Sequence, residues 1–145
     1  MNVKFKVKKG HNSNCVVCTA CTPNKEQVCE CKVGYDYSGS TWTISSWFTK
    51  ENFQNKGLGK VALQKTLTYL QKMFGEPDVI EYIWNGANEY VLEWMEKHFD
   101  AKCLCPLIVQ KTQSGDDWLS HMYDLDVSKV FGYFKINQCK EIEYE

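Results

Sequence analysis

The chain has 145 residues, of which 43% are hydrophobic and 24% are charged. This balance is typical of a globular protein and argues against wholesale disorder, so we interpret residues 1–145 as a single domain. The formal net charge of −1 disfavours nucleic acid or an anionic membrane as the main partner, because both require a clustered basic surface.

The sequence also lacks two kinds of apolar segment. It has no apolar run of the ~18 residues that a membrane span needs. Its first residues alternate between polar and apolar, unlike the apolar stretch of a signal peptide. We therefore expect no membrane partner and a cytoplasmic location, where thiols stay reduced.

The first part of the sequence predicts four strands joined by turns. The segment VKFKVKK alternates apolar and basic residues, which is typical of a half-buried strand. The next three strands are predicted from β-branched and aromatic residues in CVVCTAC, QVCECKVGYDY and TWTISSWFT. Turn-forming residues separate them in GHNSN, TPNKE and SGS.

From Leu58 onward the apolar residues follow helical spacing, and Gly75 and Pro77 end that helix. A continuous apolar run, DVIEYIW, then predicts a buried strand, and NGANEYVLEWMEKHF predicts a second helix. In the following strand, AKCLCPLIVQ, Pro106 indicates a sheet edge or a bulge.

The last part predicts a strand at LSHMYDLD, a short helix at VSKVFGYF, and a strand or a tail at CKEIEY. A run of strands followed by alternating strands and helices predicts an α+β fold, α/β in its second half, with a mixed sheet.

Gly57 and Gly59 stand directly before the first predicted helix, in FQNKGLGKVAL. Glycine is a poor start for a helix, costing roughly 1 kcal/mol against alanine. However, the first N–H groups of a helix have no partner within it, and glycine lets an anion approach them. We therefore interpret the turn as a phosphate site. The alternative is a tight turn that only lets helix and strand pack closely.

The six residues from Gln54 to Gly59, QNKGLG, match the Q/R-x-x-G-x-G/A signature of the GNAT family of N-acyltransferases. Downstream, IWNGANEYVLEWMEKHFDAK resembles the family pattern N-x-x-A-x-x-L-Y-E-K-x-G-F, with Asn88 at the asparagine. The resemblance covers roughly Ser40 to Cys105. It implies an acyl-CoA N-acyltransferase fold, whose mostly antiparallel mixed sheet is flanked by helices. The helical region near the amino terminus is shortened, since only GHNSN separates the first two strands.

This resemblance implies an acetyl-CoA-dependent N-acetyltransferase. Acetyl-CoA would be the cosubstrate, and the acceptor would be a primary amine of a small molecule or protein that attacks directly in a ternary complex. Backbone amides of the glycine loop would bind the pyrophosphate, and main-chain groups of the fourth strand would hold the pantetheine arm. The cofactor-binding residues expected on this basis are Trp47, Thr49, Gln54, Asn55, Lys56, Gly57, Leu58, Gly59, Lys60 and Asn88.

Amine acetylation needs a base for the ammonium group and can use an acid for the departing thiolate. Glu81 is a candidate base, because a carboxylate in an apolar strand is costly unless it is paired or functional. His121 is a second candidate, in a segment that the resemblance places near the acceptor.

Met95 cannot donate a proton, yet it aligns where many family members carry a tyrosine. Tyr90 on the same helix is therefore the candidate acid, with a packing role as the alternative.

Eight cysteines stand in the sequence. Their spacing is compatible with a structural zinc site at Cys15, Cys18, Cys29 and Cys31. Side chains alternate along a strand, however, so Cys18 is expected to point away from Cys15. Buried free thiols are therefore favoured, and we predict no metal.

Two other functions remain open. A non-catalytic acyl-CoA-binding or regulatory module of the same fold is favoured by Met95 and by the short segment between the first two strands. The cysteines allow a zinc-binding interaction domain instead. A homodimer could complete the acceptor pocket in an active enzyme.

Overall fold

The computed structural model describes residues 2–10, 13–84, 89–111 and 117–136. A short 3-10 helix, Glu51–Phe53, precedes the first long helix. In chain order the other elements are β1 (Lys4–Lys9), β2 (Cys15–Cys21), β3 (Gln27–Tyr35), β4 (Thr41–Thr49), α1 (Leu58–Phe74), β5 (Val79–Trp84), α2 (Glu89–Phe99), β6 (Lys102–Lys111), β7 (Asp117–Leu125) and α3 (Val127–Phe134). The strands and helices predicted for this part of the chain are confirmed. The segment CKEIEY lies outside the described residues.

The strands form one seven-stranded sheet in the order β1-β2-β3-β4-β5-β7-β6. β4 and β5 pair in parallel, which requires the crossover that α1 supplies, and the other neighbours pair antiparallel. The predicted mixed, mostly antiparallel sheet is thus confirmed. Pro106 lies in the edge strand β6, where the register against β7 shifts between Cys105 and Ile108, as predicted.

A bulge in β4 changes the course of that strand. Ile44 pairs with Val33, whereas Ser46 pairs with Lys32, so Ser45 is an extra residue in the ladder. The pairing of β4 with β5 ends at Ile44 and Tyr82, although β4 itself continues to Thr49. The two parallel strands therefore part just beyond the bulge.

The core lies between one face of the sheet and the helices. Trp42 of β4 stacks on Phe131 of α3 with ring centroids 6.0 Å apart, and Gln64 of α1 donates a hydrogen bond to the Phe134 carbonyl at 2.9 Å. The side chains that α1 buries are Leu58, Ala62, Leu63, Thr66, Leu67, Thr68 and Leu70.

No helix within the described ranges combines the length and hydropathy of a membrane span.

No helix of the described residues packs on the opposite face of the sheet, which we call the open face. Lys8, Val17, Lys32 and Ser46 form one cross-strand row on it, and both lysines are exposed while the other two are half-buried. Residues 10–14 alone connect β1 to β2, and the Gly10 N–H donates to the carbonyl of Cys15 at 2.7 Å. This short link confirms that the chain has no room for helices between its first two strands.

Removing a core side chain of α1 should test this packing. Leu67 is completely buried and Leu104 is 55% exposed. Because a buried leucine leaves a cavity, we expect Leu67→Ala to lower the free energy of unfolding by about 2–5 kcal/mol. Leu104→Ala is the matched control and should change it by less than about 0.5 kcal/mol. Urea unfolding followed by circular dichroism measures both, and equal effects would contradict the assigned core.

Candidate functional site

A cavity of about 390 Å³ lies where the end of β4, the start of α1 and one face of α2 meet. Eight of the ten predicted cofactor-binding residues line it. Lys56 is exposed and does not line the cavity, and Asn88 lies outside the described residues. The complete lining consists of Trp47, Phe48, Thr49, Phe53, Gln54, Asn55, Gly57, Leu58, Gly59, Lys60, Tyr90, Val91 and Trp94.

Gly57 is required by the backbone at the start of α1. It has a φ of 79°, in the left-handed region that side chains with a Cβ disfavour. A Cβ at this position would meet nothing within 4 Å, so space does not demand the glycine. The helix has no side-chain cap and no acidic residue in its first turn. The positive end of its dipole therefore borders the cavity without a compensating side chain from that turn.

Gly59 is required by close packing. The Trp47 indole N–H donates a hydrogen bond to the Gly59 carbonyl at 2.8 Å. A Cβ on Gly59 would lie 3.3 Å from Trp47 Nε1 and 3.4 Å from Thr49 Oγ1. The close-packing interpretation thus describes Gly59, whereas it does not account for Gly57.

The loop between β4 and α1 folds back onto the end of β4. The Gln54 side-chain amide donates to the Thr49 carbonyl at 3.0 Å, and Asn55 adopts a left-handed conformation with a φ of 62°. Asparagine tolerates this region better than most residues. The hydrogen bond ties the QNKGLG segment to the end of β4, beside the cavity.

Helix α2 supplies an aromatic wall. The Trp94 ring lies 5.9 Å from the Trp47 ring, and Lys60 Nζ lies 5.2 Å from the centroid of Trp94. The sequence pattern did not predict Trp94 as a site residue. The available signal was its helical spacing, because Trp94 follows Tyr90 by four residues and shares its face.

The candidate acid faces the cavity. Tyr90 is 72% exposed whereas Met95 is completely buried. The two residues therefore occupy different faces of α2, as the sequence predicted. Tyr90 is the catalytic candidate that the structure brings to the cofactor-binding candidates.

The other two catalytic candidates lie elsewhere and apart from each other. Glu81 lies in register with Thr43 and Asp124, and Thr43 Oγ1 donates to its carboxylate at 3.4 Å. Its neighbours along β5, Ile80 and Tyr82, are buried, so Glu81 points to the open face of the sheet.

His121 lies on the other side of the sheet. It stands opposite Trp84 in the β5–β7 ladder, and their ring centroids are 5.8 Å apart. Trp84 is two residues beyond buried Tyr82 and thus shares the face that carries the helices. His121 and Glu81 therefore do not form one catalytic group.

Three cysteines of β2 and β3 lie within the core. Cys18 stands opposite Cys31 in the ladder, and Cys29 lies on the same face. All three are free thiols without exposed surface. Burial raises the pKa of Cys18 to about 12, and it also raises the pKa of Cys29 and Cys31.

Burial thus disfavours the thiolate form of these three side chains. Cys15 is also buried, and its Sγ lies 3.1 Å from the Ser13 hydroxyl. Within the part of the chain that is described, no three His, Cys, Asp or Glu residues are placed to hold a metal ion. The zinc-binding alternative therefore finds no support there.

No protein-family model and no curated protein matches the sequence. Solved structures of acetyltransferases do match the fold. Nourseothricin acetyltransferase matches with a TM-score of 0.60 and 9% identity, over 88% of this chain and 85% of that one. Spermidine/spermine N-acetyltransferase SpeG from Vibrio cholerae gives 0.58 and 11%, over 85% and 71%. Arabidopsis thaliana NAA60, solved with a bisubstrate analogue, gives 0.58 and 10%, over 79% and 77%. The chain thus has the fold of the GNAT acetyltransferases.

The buried thiols should make stability depend on alkaline pH. The folded-state pKa of Cys18 lies above the ordinary value of 9.0, so the unfolded chain loses this proton first as pH rises. The free energy of unfolding should therefore fall above about pH 9, with at most about 1.4 kcal/mol per pH unit from each such thiol. Cys18→Ala should reduce this slope, as measured by urea unfolding between pH 7 and 10.5. The exposed Cys103→Ala is the control, and identical slopes in the two variants would contradict the prediction.

Proposed function

We propose that the chain is an acetyl-CoA-dependent N-acetyltransferase acting on a primary amine. The observation that carries this proposal is the cavity at the start of α1. There Gly57 exposes the backbone at an uncompensated helix terminus, and Lys60 adds a positive charge. The acetyltransferase fold of the matched structures supports the same conclusion.

The two anchor points for acetyl-CoA differ in chemistry. The amides of Leu58, Gly59 and Lys60 are the natural donors for its pyrophosphate, because they are the first of α1 and have no partners within the helix. The pantetheine arm carries amides of its own and needs main-chain partners. β4 can provide them between Ser45 and Thr49, where β5 no longer pairs with it.

The reaction that we propose is direct attack of the amine nitrogen on the thioester carbonyl. The C–N bond forms, the C–S bond breaks, and the CoA thiolate departs. A base must first remove a proton from the ammonium group, and Glu81 is the proposed base. Tyr90 is the proposed acid, and a thiol pKa of about 8.5 makes the thiolate a good leaving group even without help.

The acceptor is a primary amine of a small molecule or of a protein. Within the described residues no helix covers the sheet face that carries Glu81, and this is the face from which the amine would approach. A cytoplasmic location and a homodimer remain predictions of the sequence.

A second function is favoured by one specific observation. Met95 is completely buried at the position where the family pattern has a proton donor. The chain could therefore bind acetyl-CoA without transferring the acetyl group, as a regulatory module. Binding and turnover must be measured separately to distinguish the two functions.

Acetyl-CoA binding can be tested at two matched glycines. Gly57 and Gly75 have φ values of 79° and 81°, and a Cβ on either would meet nothing within 4 Å. Gly57→Glu should abolish the rise in melting temperature that acetyl-CoA causes, because its carboxylate would occupy the anion site. Gly75→Glu adds the same charge at the other end of α1, in a backbone conformation (φ 81°, ψ −157°) that disfavours a side chain even more than that of Gly57, and the folded variant should retain the rise. If both variants bind equally well, the phosphate site is wrongly assigned.

Turnover should depend on Glu81 and Tyr90. Release of the CoA thiol over a panel of primary amines gives kcat for each variant. Glu81→Gln should lower kcat about 100-fold, and the loss should shrink at higher pH because more of the amine is then unprotonated. Tyr90→Phe should lower kcat about tenfold, since the thiolate can also leave unassisted. Glu93→Gln, on the exposed surface of α2, is the control.

Three results would change these assignments. Unchanged kcat in Glu81→Gln or in Tyr90→Phe would remove that residue from its role. If the parent protein binds acetyl-CoA but releases no thiol with any amine, the regulatory module replaces the enzyme.

A further inference from the structure

We infer that Lys60 and Trp94 act as a coupled pair that selects a phosphate-bearing ligand at this cavity, with Lys60 contacting the phosphate and Trp94 positioning Lys60. The inference rests on the proposed function for the identity of the natural ligand. On this inference, α2 takes part in ligand recognition in addition to lining the cavity.

Lys60 occupies an electrostatically unfavourable place. It lies in the first turn of α1, where the helix dipole is positive and favours anionic side chains, yet that turn contains no acidic residue. None of the ion pairs within the described ranges includes Lys60. Its charge is instead held over the face of Trp94, with Nζ 5.2 Å from the ring centroid. No carboxylate among the described residues therefore neutralises this lysine before a ligand arrives.

The Trp94 ring, over which the Lys60 charge lies, is held in place by packing. It packs edge-on against Phe99 and Tyr133, with ring centroids 5.0 and 5.4 Å away. His98 and Trp47 contact it at 5.4 and 5.9 Å. A ring held by four aromatic neighbours from β4, α2 and α3 has little freedom to turn, so it offers Lys60 a fixed surface.

A fixed surface matters because a free lysine side chain loses rotamer entropy when it binds a ligand. The Trp94 ring attracts the ammonium group and holds it at the cavity, beside the bare amides of α1. Part of the rotamer entropy of the Lys60 side chain is therefore already lost in the free protein, and binding has less of it to remove. Trp94 acts here through Lys60 and does not need to touch the phosphate.

The test is a double-mutant cycle on ligand affinity. Isothermal titration with acetyl-CoA would compare the parent chain, Lys60→Met, Trp94→Leu and the double variant. Lys60→Met should weaken binding about tenfold, as expected for loss of a charged hydrogen bond, and should flatten the dependence of Kd on salt. Trp94→Leu should weaken binding about 2- to 5-fold when Lys60 is present, the strength of an exposed cation–π contact. It should have no further effect in the Lys60→Met background.

Two additional variants keep the test decisive. Lys65 lies on the same helix with its Nζ 5.9 Å from the Phe5 ring, and it does not line the cavity. Lys65→Met therefore removes a similar cation–ring contact elsewhere and should leave the Kd unchanged. Trp94→Phe keeps an aromatic ring if the leucine variant does not fold, and it should weaken binding less than Trp94→Leu.

The outcomes separate this inference from the proposed function. Equal losses for Trp94→Leu in both backgrounds, or no loss for Lys60→Met, would overturn the pair while leaving acetyl-CoA binding intact. Inorganic pyrophosphate serves as a second probe. If it gives the same double-mutant cycle for Lys60 and Trp94 while acetyl-CoA does not bind, the proposed function fails and the pair stands. If neither probe binds the parent chain, both fail.

Discussion

The parallel pairing of β4 with β5 is the constraint on which the rest of this structure depends. Two parallel neighbours cannot be joined by a tight turn, so the chain must leave the sheet at the end of β4 and return along α1. This crossover brings the amino terminus of α1 to the point where β4 and β5 part, after Ile44 and Tyr82. A helix terminus with bare amides and a strand with unshared main-chain groups thus lie side by side.

The contact between Trp47 and Gly59 holds that arrangement together. The indole hydrogen bond to the Gly59 carbonyl ties β4 to α1, and the ring contact between Trp47 and Trp94 extends the link to α2. One tryptophan therefore joins the three elements that line the cavity. This explains why two glycines in one short segment have different physical reasons, since Gly57 is needed for its backbone conformation and Gly59 for this close approach.

The sheet has two faces with different roles. One carries the helices, the buried thiols and the core, while the other keeps lysines and Glu81 in contact with solvent. Catalysis as proposed would require the thioester of acetyl-CoA to be accessible from the open face of the sheet. The nucleotide part of acetyl-CoA would stay on the face that carries the helices. The pairing of β4 with β5 ends at Ile44 and Tyr82, so this proposal locates the thioester near that point.

Local patterns in the sequence were sufficient for the elements, for the order of strands and helices, and for the loop from Gln54 to Gly59, because alternation, helical spacing and glycine placement act over a few residues. Local patterns did not predict the surroundings of residues that contact segments distant in sequence. Trp94 borders the cavity because α2 packs against α3 and brings its ring to Trp47 of β4. Glu81 and His121 separate because the β5–β7 ladder places them on opposite faces of the sheet. The raised pKa of Cys18 likewise requires the burial that only packing of α1 on the sheet produces. The sequence by itself therefore determined the strands, the helices and the glycine turn before α1. Only the tertiary structure decided the order of the strands in the sheet and which side chains surround that turn, since contacts between remote segments arise from packing.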